Sequence, residues 1–174
     1  MNATPSPTPD CPPFVISREF DAPRDLMWKV WTDREHFARW FGPKGMKVTM
    51  AKFDLRPGGM THYSIATPDG KEMWGRAIYR EIVPPSKLVW INSFSNAQGG
   101  IARHPMTTDA WPLQLLTTVT FAETAGRTTV TVNWLPYESN DEERRVFDAG
   151  RDSMKGGWGG TLDQLGNYLA GLKP

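Results

Sequence analysis

The sequence predicts an α+β domain: a curved antiparallel sheet folded around one long C-terminal helix, with elements in the order β-α-α-β-β-β-β-β-β-α. Three observations lead there. Residues 113–121 and 128–135 alternate apolar and polar side chains, the period of a sheet with one buried face. Phe147, Met154, Trp158, Leu162, Leu165, Leu169 and Leu172 recur at helical spacing, an apolar stripe long enough to cross a whole sheet. A pair of short helical patterns sits between the first strand and all the others.

Residues 1–13 carry five prolines and little apolar surface, so burial cannot offset the entropy of ordering them. The sequence therefore places a disordered tail at 1–13 and one domain at 14–174. Cys11, within that tail, reads as an incidental exposed thiol. Phe-Val-Ile-Ser-Arg-Glu-Phe at 14–20 is a short strand. Asp21, Pro23 and Asp25 then mark a helix start, with Met27, Val30 and Trp31 on one face. Thr32-Asp33-Arg34-Glu35 reads as a capping box for a second helix, which presents Phe37, Trp40 and Phe41 and stops at Gly42-Pro43.

Strands follow at 46–55, 60–67, 72–83 and 87–95. Arg56-Pro57-Gly58-Gly59 and Pro68-Asp69-Gly70 supply the turn chemistry between the first three. An irregular stretch from 96 to 111 precedes the two alternating strands, whose inward sets are Leu113, Leu115, Thr117, Val119 and Phe121, then Val130, Val132 and Trp134. Pro136 ends the strands, and Asn140 caps the last helix above the acidic first turn Asp141, Glu142 and Glu143. Gly156-Gly157-Trp158-Gly159-Gly160 interrupts it, at a cost of about 3–4 kcal/mol relative to alanine. We expect a continuous but locally loose helix there.

Composition excludes several classes. The 174 residues carry a net charge of +1 and no Lys/Arg cluster, so no nucleic-acid partner is expected. A single cysteine excludes an internal disulfide and a cysteine-based metal cluster. The N-terminus lacks the pattern of a secretory leader, and no stretch approaches the ~20 apolar residues that span a bilayer; the expectation is a cytoplasmic protein without membrane insertion. His36, His62 and His104 are far apart in sequence and show no metal-binding spacing, so no metal or cofactor is expected. No Gly-x-Ser-x-Gly elbow or P-loop is present, and no catalytic residue is assigned.

Binding is the sharper expectation. A long helix laid across a curved sheet leaves a gap unless large side chains fill it, and the chain has eight Trp and eight Phe. Tyr63, Trp74, Trp90, Trp134, Met154 and Trp158 are placed around that gap, with Arg103 and His104 brought to its mouth by the 96–111 loop. Arg103 could grip a carboxylate or phosphate head group bidentately, or bond loop carbonyls. The expected partner is a small hydrophobic or amphipathic ligand; a dimer of two copies is compatible with the pattern. The same aromatics could instead plug the space. His62 and Tyr63 are neighbours on a strand, so one of them faces inward; an inward His62 would be the best general acid/base candidate, and a cyclase- or hydrolase-type enzyme would use His62, Tyr63 or His104 with water. An interaction module is the third alternative.

Thr-Asp-Arg-Glu-His-Phe-Ala-Arg-Trp-Phe-Gly-Pro at 32–43 resembles the T-D-x-E-x-x-x-x-W-x-G-P segment of the family named for the activator of Hsp90 ATPase. Asp54 to Gly59, Asp69-Gly70 and the Gly75 strand are similar to its central hairpins, and Gly157-Trp158 with Leu162 and Leu165 to its C-terminal helix. The stretch 99–106 and Trp111-Pro112 resemble one bacterial subgroup. The resemblance covers about residues 14–172. It implies the START-like helix-grip fold, also called Bet v 1-like, within the SRPBCC superfamily of carriers, receptors and cyclases. It also implies a co-chaperone role only weakly, because the eukaryotic co-chaperones carry an additional N-terminal domain that nothing before Phe14 could form.

Overall fold

A computed structural model describes residues 11–105 and 110–172. Within them the chain runs β1 (Phe14–Phe20), α1 (Arg24–Thr32), α2 (Arg34–Trp40), β2 (Lys47–Phe53), β3 (Met60–Ala66), β4 (Glu72–Val83), β5 (Lys87–Ser95), β6 (Ile101–Ala102), β7 (Gln114–Thr124), β8 (Arg127–Tyr137), α3 (Asp141–Ala149) and α4 (Arg151–Leu172). All strands join one antiparallel sheet in the order β1-β8-β7-β5-β4-β3-β2, with the two-residue β6 pairing along β5. β1 and β2 are the two edges, so the α1–α2 pair carries the chain from one edge of the sheet to the other. This is the helix-grip α+β fold that the alternation and the C-terminal stripe predict.

Local chemistry explains the helix boundaries. Thr32 still belongs to the last turn of α1, where its hydroxyl donates to the Trp28 carbonyl at 2.7 Å. The cap of α2 is therefore Asp33, whose carboxylate accepts from the backbone N–H groups of Glu35 and His36, and not the Thr32 capping box expected from the sequence. Asn140 does form a capping box with Glu143 at the start of α3. The C-terminal helix breaks at Gly150 instead of at the glycine cluster. A Cβ on Gly150 would lie 3.2 Å from the Trp111 ring, so the break falls where that indole packs. Through 156–160 the helix is continuous, and a Cβ at Gly156, Gly157, Gly159 or Gly160 would meet nothing within 4 Å. No close packing accounts for these four glycines.

The core lies where α1, α2 and the C-terminal half of α4 close over β7 and β8. Trp31, 1% exposed, sits 4.6 Å from Trp40 and 5.5 Å from Phe121, ring centre to ring centre. The Trp40 indole N–H donates to the Val30 carbonyl at 2.8 Å, satisfying the one polar group this ring carries inside. Leu162, Leu165 and Leu169 of α4 complete this region, and truncating a ring such as Trp31 would cost about 3–5 kcal/mol. The N-terminal half of α4 packs differently, as described below.

Residues 11–13 depart from the exposed tail that composition suggests. Cys11 is buried, 3% exposed, with its Sγ 3.9 Å from the Arg144 carbonyl oxygen. The Arg151 guanidinium donates to the carbonyls of Pro12 and Pro13, tying the segment to the start of α4. Two carbonyls on a charged donor thus add to the burial of Cys11 in holding the segment. Residues 1–10 lie outside the described residues. No described helix is long and apolar enough to cross a membrane.

Candidate functional site

Between the sheet and the N-terminal half of α4 lies a cavity of about 870 Å3. Its sheet wall follows from strand alternation. Tyr63 faces Gly75, which faces Phe94, and Tyr79 faces Trp90 across the paired strands β3, β4 and β5. All five residues border the cavity, joined by Thr61, Ala77, Leu88 and Asn92 from the same face. Trp134 of β8 and Leu115 of β7 extend the wall, and Met154, Trp158 and Thr161 of α4 close over it. Pro43, Ala149, Ser153 and Gly157 form exposed parts of its rim.

Gly75 makes room for the Tyr63 ring: a Cβ there would come within 2.6 Å of it. The ring meets Phe41 edge-to-face at 5.3 Å. The open part of its surface looks into the cavity and not into bulk water, and this burial pushes the Tyr63 phenol up to about 12. Burial does the same to Tyr79, also to about 12, against a smaller opposing effect of its hydrogen bond to Thr61. Both phenols are neutral hydroxyls at physiological pH. Tyr79 and Thr61 share a 2.8 Å hydrogen bond. The buried Thr117 hydroxyl donates to Asn92 Oδ1 at 2.5 Å.

His104 reaches the wall from the segment after β6, its ring 4.5 Å from Phe94 and 6.2 Å from Trp111. Burial lowers its pKa below 6.5, so the imidazole is neutral at pH 7. Among the described residues, no Asp, Glu, Lys or Arg lines the cavity. The Nε1 atoms of Trp31, Trp134 and Trp158 are buried beneath the wall, and no described protein group accepts from them. Trp134 and Trp158 meet edge-to-face at 5.5 Å.

The residues singled out from the sequence separate into three groups. Tyr63, Trp90, His104, Trp134, Met154 and Trp158 all lie on this wall. Trp74 borders it, yet its ring stacks on His62 at 4.8 Å. His62 is turned away from the cavity: its Nε2 donates to the Asn96 carbonyl at 3.1 Å, beneath the turn that Arg76 also holds through the Gly99 carbonyl at 2.9 Å. Register decides this, because Tyr63 opposite Gly75 sends His62 and Arg76 to the other face. Arg103 is not on the wall. Its guanidinium pairs with Glu143 Oε1 at 3.2 Å, linking the loop after β6 to the cap of α3. Tyr79, Asn92 and Trp31 were not singled out. Tyr79 and Asn92 were within reach of the same alternation, four residues after Gly75 and two after Trp90, whereas nothing in the α1 stripe separates a cavity-facing Trp31 from an ordinary core one.

Other chemistries have little footing. Among the described residues no three His, Cys, Asp or Glu side chains converge in a way that could hold a metal ion. His36 is bound to the helix above it, its Nδ1 sharing a 2.6 Å hydrogen bond with the Tyr168 hydroxyl. Among the described residues the large apolar side chains left exposed, Val15, Val83, Ile101 and Leu172, sit on four separate elements.

Comparison with solved structures finds the same fold in several bacterial proteins. A crystal structure from Mycobacterium smegmatis superposes with a TM-score of 0.71 at 25% identity, covering 94% of each chain. A solution structure from Arthrobacter aurescens gives 0.76 at 24% identity, covering 95% of this chain and 90% of that one. A crystal structure from Rhodobacter sphaeroides gives 0.74 at 18% identity over 97% and 99%. Curated protein sequences return no match. Residues 21–170 match the family described as activator of Hsp90 ATPase homolog 1-like proteins, and with a helix-grip fold and the 32–43 segment lying inside that span, the chain belongs to this family.

Proposed function

We propose that this protein binds a small hydrophobic or amphipathic molecule between its sheet and the N-terminal half of α4, and does so without catalysis. The observation that carries the reading is the cavity itself: about 870 Å3, walled chiefly by aromatic and aliphatic side chains with a few polar groups. That volume lies in the ~300–1,000 Å3 range of sites for drug-sized ligands. Tyr63, Trp74, Trp90, Trp134, Met154, Trp158 and His104 are the proposed contacts. Trp74 would contribute the edge nearest the strand. Arg103 would act on the ligand only through the Glu143 pair that positions its loop.

A catalytic reading has less support. It would need His62, Tyr63 or His104 facing the space with a hydrogen-bonded partner; His62 points away and both wall phenols are pushed up to about 12, so the reading would rest on the His104 ring. The scatter of exposed apolar side chains gives a docking surface equally little support.

The test is native mass spectrometry of protein purified without detergent, followed by solvent extraction of any adduct. A reproducible bound mass of a few hundred daltons is the expected result. Apo protein that also fails to bind any member of a hydrophobic panel would overturn the reading.

A further inference from the structure

Resting on that reading, we infer a narrower ligand class: an uncharged molecule carrying a hydrogen-bond acceptor oxygen, such as a ketone, ester or lactone, which meets the side-chain amide of Asn92. Three observations converge on it. The first is the absence of any charged side chain on the wall among the described residues. A carboxylate drawn into such a space would lose its hydration without gaining a counter-ion, and burying an unpaired charge is the costliest transfer a ligand can make. His104 does not supply the missing cation, because burial keeps its ring neutral at pH 7.

The second is the orientation of Asn92. Its Oδ1 is taken by the Thr117 hydroxyl, itself fully buried on β7 opposite Trp90. The Nδ2 group is the polar remainder of that side chain. It sits on the cavity wall, and no described protein group accepts from it. An amide held in this way offers two N–H donors to whatever occupies the cavity.

The third is the balance of the remaining polar groups. The Tyr79 and Thr61 hydroxyls are already bonded to each other, and the indole nitrogens of Trp31, Trp134 and Trp158 lie beneath the surface where a ligand does not reach them. The neutral Tyr63 hydroxyl and the His104 ring border the cavity as well; the Asn92 amide differs from a hydroxyl in having only donors left, and it is set between Trp90 and Phe94 on β5, whose faces suit a flat apolar skeleton. The ligand is predicted to place its oxygen at Asn92 and its apolar body toward Trp134 and Trp158.

A matched series tests this by isothermal titration calorimetry at pH 7: 2-acetylnaphthalene, 2-ethylnaphthalene and 2-naphthoate, which share one ring system and differ in the group that meets the wall. The ketone is expected to bind about fivefold to tenfold more tightly than the hydrocarbon, the return of one net hydrogen bond. The carboxylate is expected to bind at least about a hundredfold more weakly than the ketone. In Asn92→Ala, checked for folding by its melting curve, the ketone-to-hydrocarbon ratio should fall to one. Naphthoate binding as tightly as the ketone, or a wild-type ratio of one, would overturn the neutral-acceptor class while leaving a binding cavity in place. An unchanged ratio in the folded variant would overturn the assignment to Asn92. No heat from any of the three at saturation would overturn both the class and the cavity reading beneath it.

Discussion

The Tyr63 ring occupies the space that a side chain at position 75 would fill: a Cβ on Gly75 would come within 2.6 Å of it. The ring is also held edge-on by Phe41, so it cannot simply step aside. Gly75→Ala is therefore expected to lower stability by about 1–3 kcal/mol through overpacking and to push the phenol toward the cavity. Urea unfolding and ligand titration on the same variant check it; unchanged values in both would mean the ring has free space.

The Arg103–Glu143 pair is asymmetric, and its two ends should behave differently. The Arg103 side chain is 68% exposed and the Glu143 side chain only 9%. Arg103→Ala should cost less than about 1 kcal/mol, as solvent-screened pairs do. Glu143→Ala also removes half of the α3 capping box and should cost about 1–2 kcal/mol. Chemical denaturation of the two variants side by side decides the order. Arg103→Ala should in addition speed ligand association and release, read by stopped-flow mixing, because the loop bearing His104 loses its tether.

The loosely surrounded glycines of α4 carry a direct stability prediction. Side chains at Gly156 and Gly159 would enter open space, and both residues are helical. Gly156→Ala and Gly159→Ala should each stabilise the fold by about 0.5–1 kcal/mol, visible as a raised melting temperature. A fall in melting temperature would show that the helix needs the glycines for a reason its packing does not display.

Burial, opposed in part by the nearby Arg151 charge, pushes the Cys11 thiol up. It should react slowly with a disulfide reagent in the native protein and rapidly in denaturant. Arg151→Ala, which releases Pro12 and Pro13, is expected to speed the native reaction severalfold by exposing the sulfur. Fast labelling of the wild-type thiol would contradict the packed position.

For His104 the direction of the shift sets the direction of the pH effect. Its folded pKa lies below the ordinary 6.5 because burial disfavours the charged ring. Its contribution to stability is thus fully present above that ordinary value and is lost as pH falls through the lowered one. The urea midpoint should drop as pH falls below about 6.5, and His104→Gln should show a shallower drop. Equal slopes in the two proteins would remove His104 as the cause.

Much of the wall was legible from period alone, and its limits show why. Alternation along β4 and β5 is local, so Trp90, and equally Tyr79 and Asn92, could be assigned to one face by counting in twos. Counting does not say which face is inward. A pattern such as His62-Tyr63 has two polar-tipped aromatic residues in a row, and only the pairing of β3 with β4, where Gly75 leaves space, turned Tyr63 in and His62 out. Arg103 was legible as a charge on a loop; its partner, Glu143, lies on a different element, α3.

The fold class, the apolar stripe of α4, the Asn140 cap and the family were legible in the chain, because each rests on residues within a turn or two of one another or on one contiguous motif; the short β6 and the division of the last helix into α3 and α4 were not. Tertiary structure decided the break at Gly150 beneath Trp111, the burial of Cys11 under the Arg151 clamp, and a cavity wall without charge. These depend on groups far apart in the chain meeting in space. Their energies belong to packing and desolvation at the meeting point, which no local period encodes.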